Sequence, residues 1–206
     1  MKIKLSIILI TLIFATSVAK AQEVQDKRHE VTFLINNLDN IGIGYRFGTS
    51  SALWRVSLSS RLKQTENIVN DTSINNINTE SSISIDLGRE YRFKVAEDLF
   101  VRLGGDLFYS QNILKNENDE SAQFQYVNKR LERAFGLKIV SGLMYQPTER
   151  IHLGFELLPS FSRIISERTS GTGWDQAPTN FSTISEESFA FNFKNSALRF
   201  NIGFNF

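Results

Sequence analysis

Residues 197–206 read A-L-R-F-N-I-G-F-N-F, and no other stretch limits the possible folds so strongly. Leu198, Phe200, Ile202, Phe204 and Phe206 share one parity, and Arg199, Asn201, Gly203 and Asn205 share the other. A period of two is that of a β-strand, whose successive side chains point to opposite faces. Five large apolar groups on one face of a strand require a cover. The rest of the chain has to show whether that cover is a protein core or something outside the protein.

The same alternation recurs along the sequence. Val31, Phe33 and Ile35 share a parity, as do Ile41, Ile43, Tyr45 and Phe47. Trp54, Val56, Leu58 and Leu62 oppose Arg55, Ser57, Ser59 and Arg61. Ile83, Ile85, Leu87 and Tyr91 oppose Ser84, Asp86, Gly88 and Glu90. Leu99, Val101, Leu103, Leu107 and Tyr109 alternate with Arg102, Gly104 and Asp106. Phe135, Leu137, Ile139, Leu143 and Tyr145 oppose Gly136, Lys138 and Gly142, and Ile151, Leu153, Phe155 and Leu157 oppose His152, Gly154 and Glu156. With 17 Phe and only 3 Pro in 206 residues, the composition suits strands.

Short connections at 48–51, 94–98 and 147–149 alternate with long polar stretches at 63–79, 115–130 and 165–187, which read as loops. Aromatic residues sit just before each short connection and at the chain end: Tyr45, Phe47, Tyr91, Phe93, Tyr145, Phe204 and Phe206. Residues 188–206 hold a parity conflict, because Phe189, Phe191 and Phe193 are out of step with Phe200. A bulge near residues 194–196 keeps one descending strand and gives eight strands, whereas a turn there gives nine. The eight-stranded reading places both ends of the domain on one side, and a bulge shifts parity as observed.

The polar parity decides what lies outside. It is rich in glycine and carries charges of both signs, which suits the crowded lumen of an eight-stranded barrel. The apolar parity is almost free of charge, which suits lipid; a soluble barrel of the carrier type has the reverse polarity. Arg89 is the exception on the apolar parity, near the short-turn end, where an arginine can snorkel to headgroups. The expected fold is therefore all-β, an eight-stranded antiparallel up-and-down transmembrane β-barrel spanning 30–206.

Residues 1–21 carry Lys2 and Lys4, an apolar run from Leu5 to Phe14 and Ala19-Lys20-Ala21, the pattern of a cleaved signal peptide. The apolar run is too short for a membrane-spanning helix. Residues 22–29 are polar and read as a periplasmic lead-in. The net charge of +1 with scattered Lys and Arg speaks against nucleic acid, and the absence of cysteine excludes disulfides and thiolate metal sites.

With its export signal, eight alternating strands and final strand ending in phenylalanine, the chain resembles the small outer-membrane β-barrel proteins of OmpA/OmpX type. Gly44-Tyr45-Arg46-Phe47 and Arg89-Glu90-Tyr91-Arg92-Phe93 look like segments of the broad group described as outer membrane β-barrel proteins. The resemblance implies location in the outer membrane of a Gram-negative bacterium. It also implies that Phe200, Ile202, Phe204 and Phe206 are read by the barrel-assembly machinery.

The candidate site is the lumen network of Arg46, Arg55, Arg102, Lys138 and Arg199 against Asp86, Glu90, Asp106 and Glu156, read as a salt-bridged plug. Trp174, in S-G-T-G-W-D, is the candidate contact for an unknown extracellular ligand. No calcium-loop pattern occurs, and neither His29 nor His152 lies where an outer-leaflet enzyme needs a base, so no catalytic residue, metal site or cofactor is expected. The expected role is structural, or binding and adhesion through the loops. The alternatives are an accessory of a transport or secretion system or, less favoured, an outer-membrane lipid-modifying enzyme.

Overall fold

The computed structural model describes residues 27–69, 74–121, 124–174, 180–192 and 198–206. The expected leader, most of the lead-in and residues 194–196 lie outside them. The described residues form strands and connections, with no helix. The strands are β1 Lys27–Asn37, β2 Asn40–Thr49, β3 Ala52–Val69, β4 Ile74–Lys94 and β5 Leu99–Ser121, followed by β6 Phe124–Tyr145, β7 Ile151–Leu157, β8 Ser160–Trp174, β9 Asn180–Asn192 and β10 Leu198–Asn205. All pairings are antiparallel. β1 to β6 pair in chain order, β6 pairs with β7, β7 with β10, and β10 with β1. The sheet is thereby closed, and a closed sheet leaves no edge in its belt.

Ten strands make eight staves of the barrel. Ser141 faces Leu157 and Lys138 faces Ser160, so the register against β6 runs unbroken from β7 into β8. The interruption lies at Leu158 and Pro159, where the Ile139 amide still donates to the Pro159 carbonyl at 2.9 Å. Proline has no N–H to return, which opens the ladder there. β9 and β10 form the last stave. Both are antiparallel to the continuous β7–β8 stave, so they run in the same direction. Asn192 faces Ser160 and Leu198 faces Leu157, so β9 and β10 keep registers against the β7–β8 stave that differ by three residues. An odd difference changes the parity, and Phe189 and Phe191 on β9 therefore share the outer surface with Phe200 and Phe204 on β10.

Both ends of the barrel domain lie at one rim. Glu30 pairs with Asn205, and the Phe206 amide donates to the His29 carbonyl at 3.0 Å. The short connections after β2, β4 and β6 share this rim. Gly48, next to last in β2 and leading into the first of them, has a φ of 151°, and a Cβ there would lie 2.4 Å from the Ala52 carbonyl oxygen, so the tight turn requires glycine.

The opposite rim differs from the sequence expectation. Residues 63–79, 115–130 and 165–187 were expected as long loops, but they are mostly strand. Lys63 pairs with Glu80, Lys115 with Lys129, and Glu167 with Ser185. Their Asn, Ser, Thr and charged residues do not alternate because water lies on both faces once the sheet leaves its apolar belt. Ladder hydrogen bonds then hold the strands without a pattern visible in the side chains. β1 and β2 have 11 and 10 residues, whereas β4, β5 and β6 have 21 to 23. The wall is therefore tall along β3–β6, β8 and β9 and low at the β1–β2 hairpin.

The polarity is that of a membrane barrel. Phe33, Ile43, Leu58, Ile85, Leu103, Leu107, Leu137, Ile139, Phe155 and Phe200 are exposed on the outer surface. Arg55, Glu90, Arg102, Asp106 and Glu156 are buried inside. Tyr45 and Phe47 stack at 5.8 Å at the short-turn rim, and the Phe206 ring stacks on His29 at 6.1 Å.

Candidate functional site

The interior is built by strand parity. Each stave turns one side chain in two toward the axis, and the inward set of the lower barrel is mostly charged. Glu156 lies at its centre. Arg46 Nη2, Arg55 Nη2 and Arg102 Nη2 lie 2.8, 3.0 and 2.9 Å from its oxygens, and Asn201 donates to it at 3.2 Å. Glu90 is the second hub, with Arg92 at 2.7 Å, Arg55 at 3.1 Å and Arg46 at 3.5 Å. Nearer the termini, Glu30 receives two hydrogen bonds of 2.6 Å from the Arg92 fork and pairs with Arg28 at 2.7 Å. Toward the tall rim, Asp86 binds Lys138 at 2.5 Å, Arg199 at 3.2 Å and the Ser57 hydroxyl at 2.9 Å. Asp106 is 3.3 Å from Arg55 Nε, and its oxygens accept no hydrogen bond among the described residues.

All nine lumen residues read from the sequence lie in the interior, where ion pairs join them in two groups: Arg46, Arg55, Arg102, Glu90, Asp106 and Glu156 in one, and Asp86 with Lys138 and Arg199 in the other. Sequence reasoning omitted Glu30, Arg92 and Asn201 from the network, all buried, while His152, which reads in the sequence as a lumen or interface hydrogen-bonding residue, is fully buried beside them. The signal was present. Glu30 is out of phase with Val31 and Phe33, and Arg92 with Tyr91 and Phe93, so the same parity places them inside. Six interior cations (Arg46, Arg55, Arg92, Arg102, Lys138 and Arg199), with Arg28 at the rim, thus meet five carboxylates (Glu30, Asp86, Glu90, Asp106 and Glu156). A charge held at low dielectric needs such partners, because an isolated ion there is strongly disfavoured.

Glycine makes room for the network. A Cβ on Gly154 would lie 2.4 Å from Asn201 Oδ1 and 2.5 Å from Arg102 Nη2, and one on Gly203 would lie 2.1 Å from the His152 ring. The side chains therefore cross the axis over backbone that carries none of its own.

Above this plug the interior opens. A cavity of about 290 Å³ is bounded below by Lys138 and Arg199 and walled by hydroxyls that include Ser59, Ser84, Ser110 and Ser162. Beyond it, between the tall strands, lies a basin of about 550 Å³ lined by Lys63, Glu80, Lys115, Arg130 and Arg168. Arg61 pairs with Glu80 at 2.7 Å where the two spaces meet. Trp174 ends β8 opposite Phe124, and its side chain lies outside the described residues. Phe200, Phe204 and Phe206 lie on the outer surface of the closing strand, with Ile202 half-buried in the same row. Among the described residues, no group of three His, Asp or Glu side chains is placed to hold a metal ion.

Neither a protein-family model nor a curated protein matches the sequence. Among solved structures, the chain is similar to a major outer membrane protein from Thermus thermophilus, with 10% identity and a TM-score of 0.46 over 88% of this chain and 100% of that one. It is also similar to CarO of Acinetobacter baumannii, with 11% identity and a TM-score of 0.35 over 87% of this chain and 95% of that one. The class of fold follows from the chain's own pairing and polarity. A closed ring of eight antiparallel staves, charged inside and apolar outside, is a β-barrel of the small outer-membrane type.

Proposed function

We propose that the chain is an integral outer-membrane protein whose lumen is plugged and whose tall rim binds an external partner. One observation carries the membrane assignment, the height of the apolar belt. On β4 the belt runs from Ile83 to Phe93. Ten steps at ~3.3 Å cover about 33 Å of strand, or about 25 Å along the axis at a tilt of ~40°. That is the thickness of the lipid-facing band of such barrels. Exposed Ile, Leu and Phe around the whole circumference have no other cover among the described residues.

The short-turn rim with both termini then faces the periplasm, and the tall rim faces outward. The ion-pair network is structural and fills the lumen. The hydroxyl-lined cavity and the basin above it supply the recognition surface, with Trp174 as a further contact. Phe200, Ile202, Phe204 and Phe206 serve as the signal for barrel assembly. No catalytic role is proposed.

Cell fractionation tests the membrane assignment. The protein is expected in the outer-membrane pellet, extracted only by detergent, and to migrate differently in electrophoresis before and after boiling. Recovery in the soluble periplasm overturns the assignment. Shortening the tall hairpins to the level of Arg61 and Glu80 tests the binding role. Surface adhesion of the cells should fall while the heat-dependent mobility is kept.

A further inference from the structure

We propose that Arg89 and the notch beside it form a binding site for the phosphate of a glycerophospholipid in the periplasmic leaflet. The proposal rests on the membrane reading above.

Arg89 stands on the outer surface of β4, between the exposed Leu87 and Tyr91. Its guanidinium carbon lies 5.3 Å from the centre of the Trp54 ring and 5.5 Å from that of Tyr91. Among the described residues it makes no ion pair, and its Nε is buried without a hydrogen-bond acceptor. Two aromatic faces attract the charge of a guanidinium but accept none of its N–H bonds in the plane of the fork. The guanidinium donors are therefore left without an acceptor by the rings that hold the group. Every other outward arginine whose contacts are described near the belt has a carboxylate: Arg163 pairs with Glu187 at 2.5 Å and Arg133 with Glu167 at 3.0 Å.

The neighbours make the site asymmetric. Across the sheet, Arg89 pairs with Trp54 on β3 and with Gly105 on β5, and Gly105 pairs with Ile139 on β6. One flank is filled by an indole and the other is empty. A Cβ built on Gly105 would meet nothing nearer than the Lys138 carbonyl oxygen at 3.6 Å, so this glycine is not there to relieve a clash. Other glycines of the wall, such as Gly88 and Gly154, have backbone or side chains within 2.5 Å of such a Cβ. The notch at Gly105 lies open to the lipid side.

A phosphodiester fits this arrangement. It is anionic, takes two parallel N–H bonds from one guanidinium, and arrives attached to acyl chains that cover Leu107 and Ile139. Trp54 is three residues from the turn residue Ser51, so the site is at the headgroup level of the leaflet that meets the short-turn rim.

Native mass spectrometry of the refolded barrel tests the site. The protein is released from micelles containing equal amounts of dioleoyl phosphatidylglycerol and dioleoylglycerol. The wild type should retain one phosphatidylglycerol and no excess of dioleoylglycerol. Arg89→Gln should lower the retained fraction about tenfold, the loss of one charge-assisted contact. Gly105→Leu, which keeps the arginine and fills the notch, should also lower it. Arg89→Lys, which keeps the charge and loses the fork, should fall between. Both main variants are first checked for the heat-dependent mobility of the folded barrel. Should one misfold, the other carries the test. Equal retention of phosphatidylglycerol by wild type and folded variants, or equal retention of dioleoylglycerol by the wild type, overturns the proposal. So does release of the lipid by millimolar inorganic phosphate, which would make this a free-phosphate site. A chain that never inserts into bilayers overturns the membrane reading and the site together, whereas insertion without selective retention overturns the site alone.

Discussion

Glu156 and Asp106 are both buried carboxylates on inward parity, yet their surroundings assign them different weights. Glu156 is approached by three arginines and an asparagine. Neutralising it leaves Arg46, Arg55 and Arg102 with a shared deficit, so Glu156→Gln should destabilise the barrel by about 3–5 kcal/mol. Asp106 touches one arginine at 3.3 Å and accepts no hydrogen bond among the described residues, so Asp106→Asn should cost much less. Urea unfolding of both variants in lipid vesicles checks the ranking, and equal losses would refute the hub role of Glu156. Gly203→Ala places a methyl group 2.1 Å from the His152 ring, so the fully buried imidazole has to shift among its charged neighbours. The folded fraction after refolding should drop sharply, read by the boiled and unboiled bands. At this scale parity made the charged interior legible from the sequence. It could not show which acid each arginine chooses, because those contacts join residues about a hundred positions apart, such as Arg46 and Glu156.

Strands were legible wherever one face meets lipid and the other the plug. They were illegible where both faces are wet. Lys63–Glu80 and Lys115–Lys129 pairing cannot be read from Asn, Thr and Ser runs, since nothing apolar marks the register. The parity conflict between Phe189 and Phe200 was visible, and its resolution in one stave depends on the register each half keeps with β7–β8. These two regimes imply different local stability. In the belt every stave has two neighbours, whereas among the described residues β9 pairs only with β8 and β3 beyond Arg61 only with β4. Ion pairs such as Arg163–Glu187 are exposed there and add little. Hydrogen exchange should therefore be slowest in β1–β2, β10 and the lower halves of β3–β6, and faster by orders of magnitude in β9. Uniform protection of β9 and β10 would show that the upper sheet has a partner at its edge. The charges Glu186 and Glu187 on β9 suit an edge that must stay single in water.

As a whole the molecule is a closed wall around a cross-linked filling, and this bears on whether it conducts. An eight-stranded ring has space inside only for side chains. Here that space holds the fully buried Arg102, His152, Glu90 and Glu156, with Arg46 and Arg55 nearly so. The hydroxyl-lined cavity and the basin above it both lie on the tall side of Lys138 and Arg199, so water entering from that rim meets the plug. The six cations and five carboxylates attract one another across the axis, and an ion passing through has to break several pairs at once. Planar-bilayer recordings of the wild type should therefore show at most small, irregular current. Removing two of the central groups together, Arg102→Ala with Glu156→Ala, takes away one charge of each sign. It leaves the net charge unchanged and opens a gap at the centre of the section. This variant, if it keeps the heat-dependent mobility, should give small steady steps where the wild type gives none. Large steady channels in the wild type would mean that the ion pairs part readily, and the lumen would then be a gated pore.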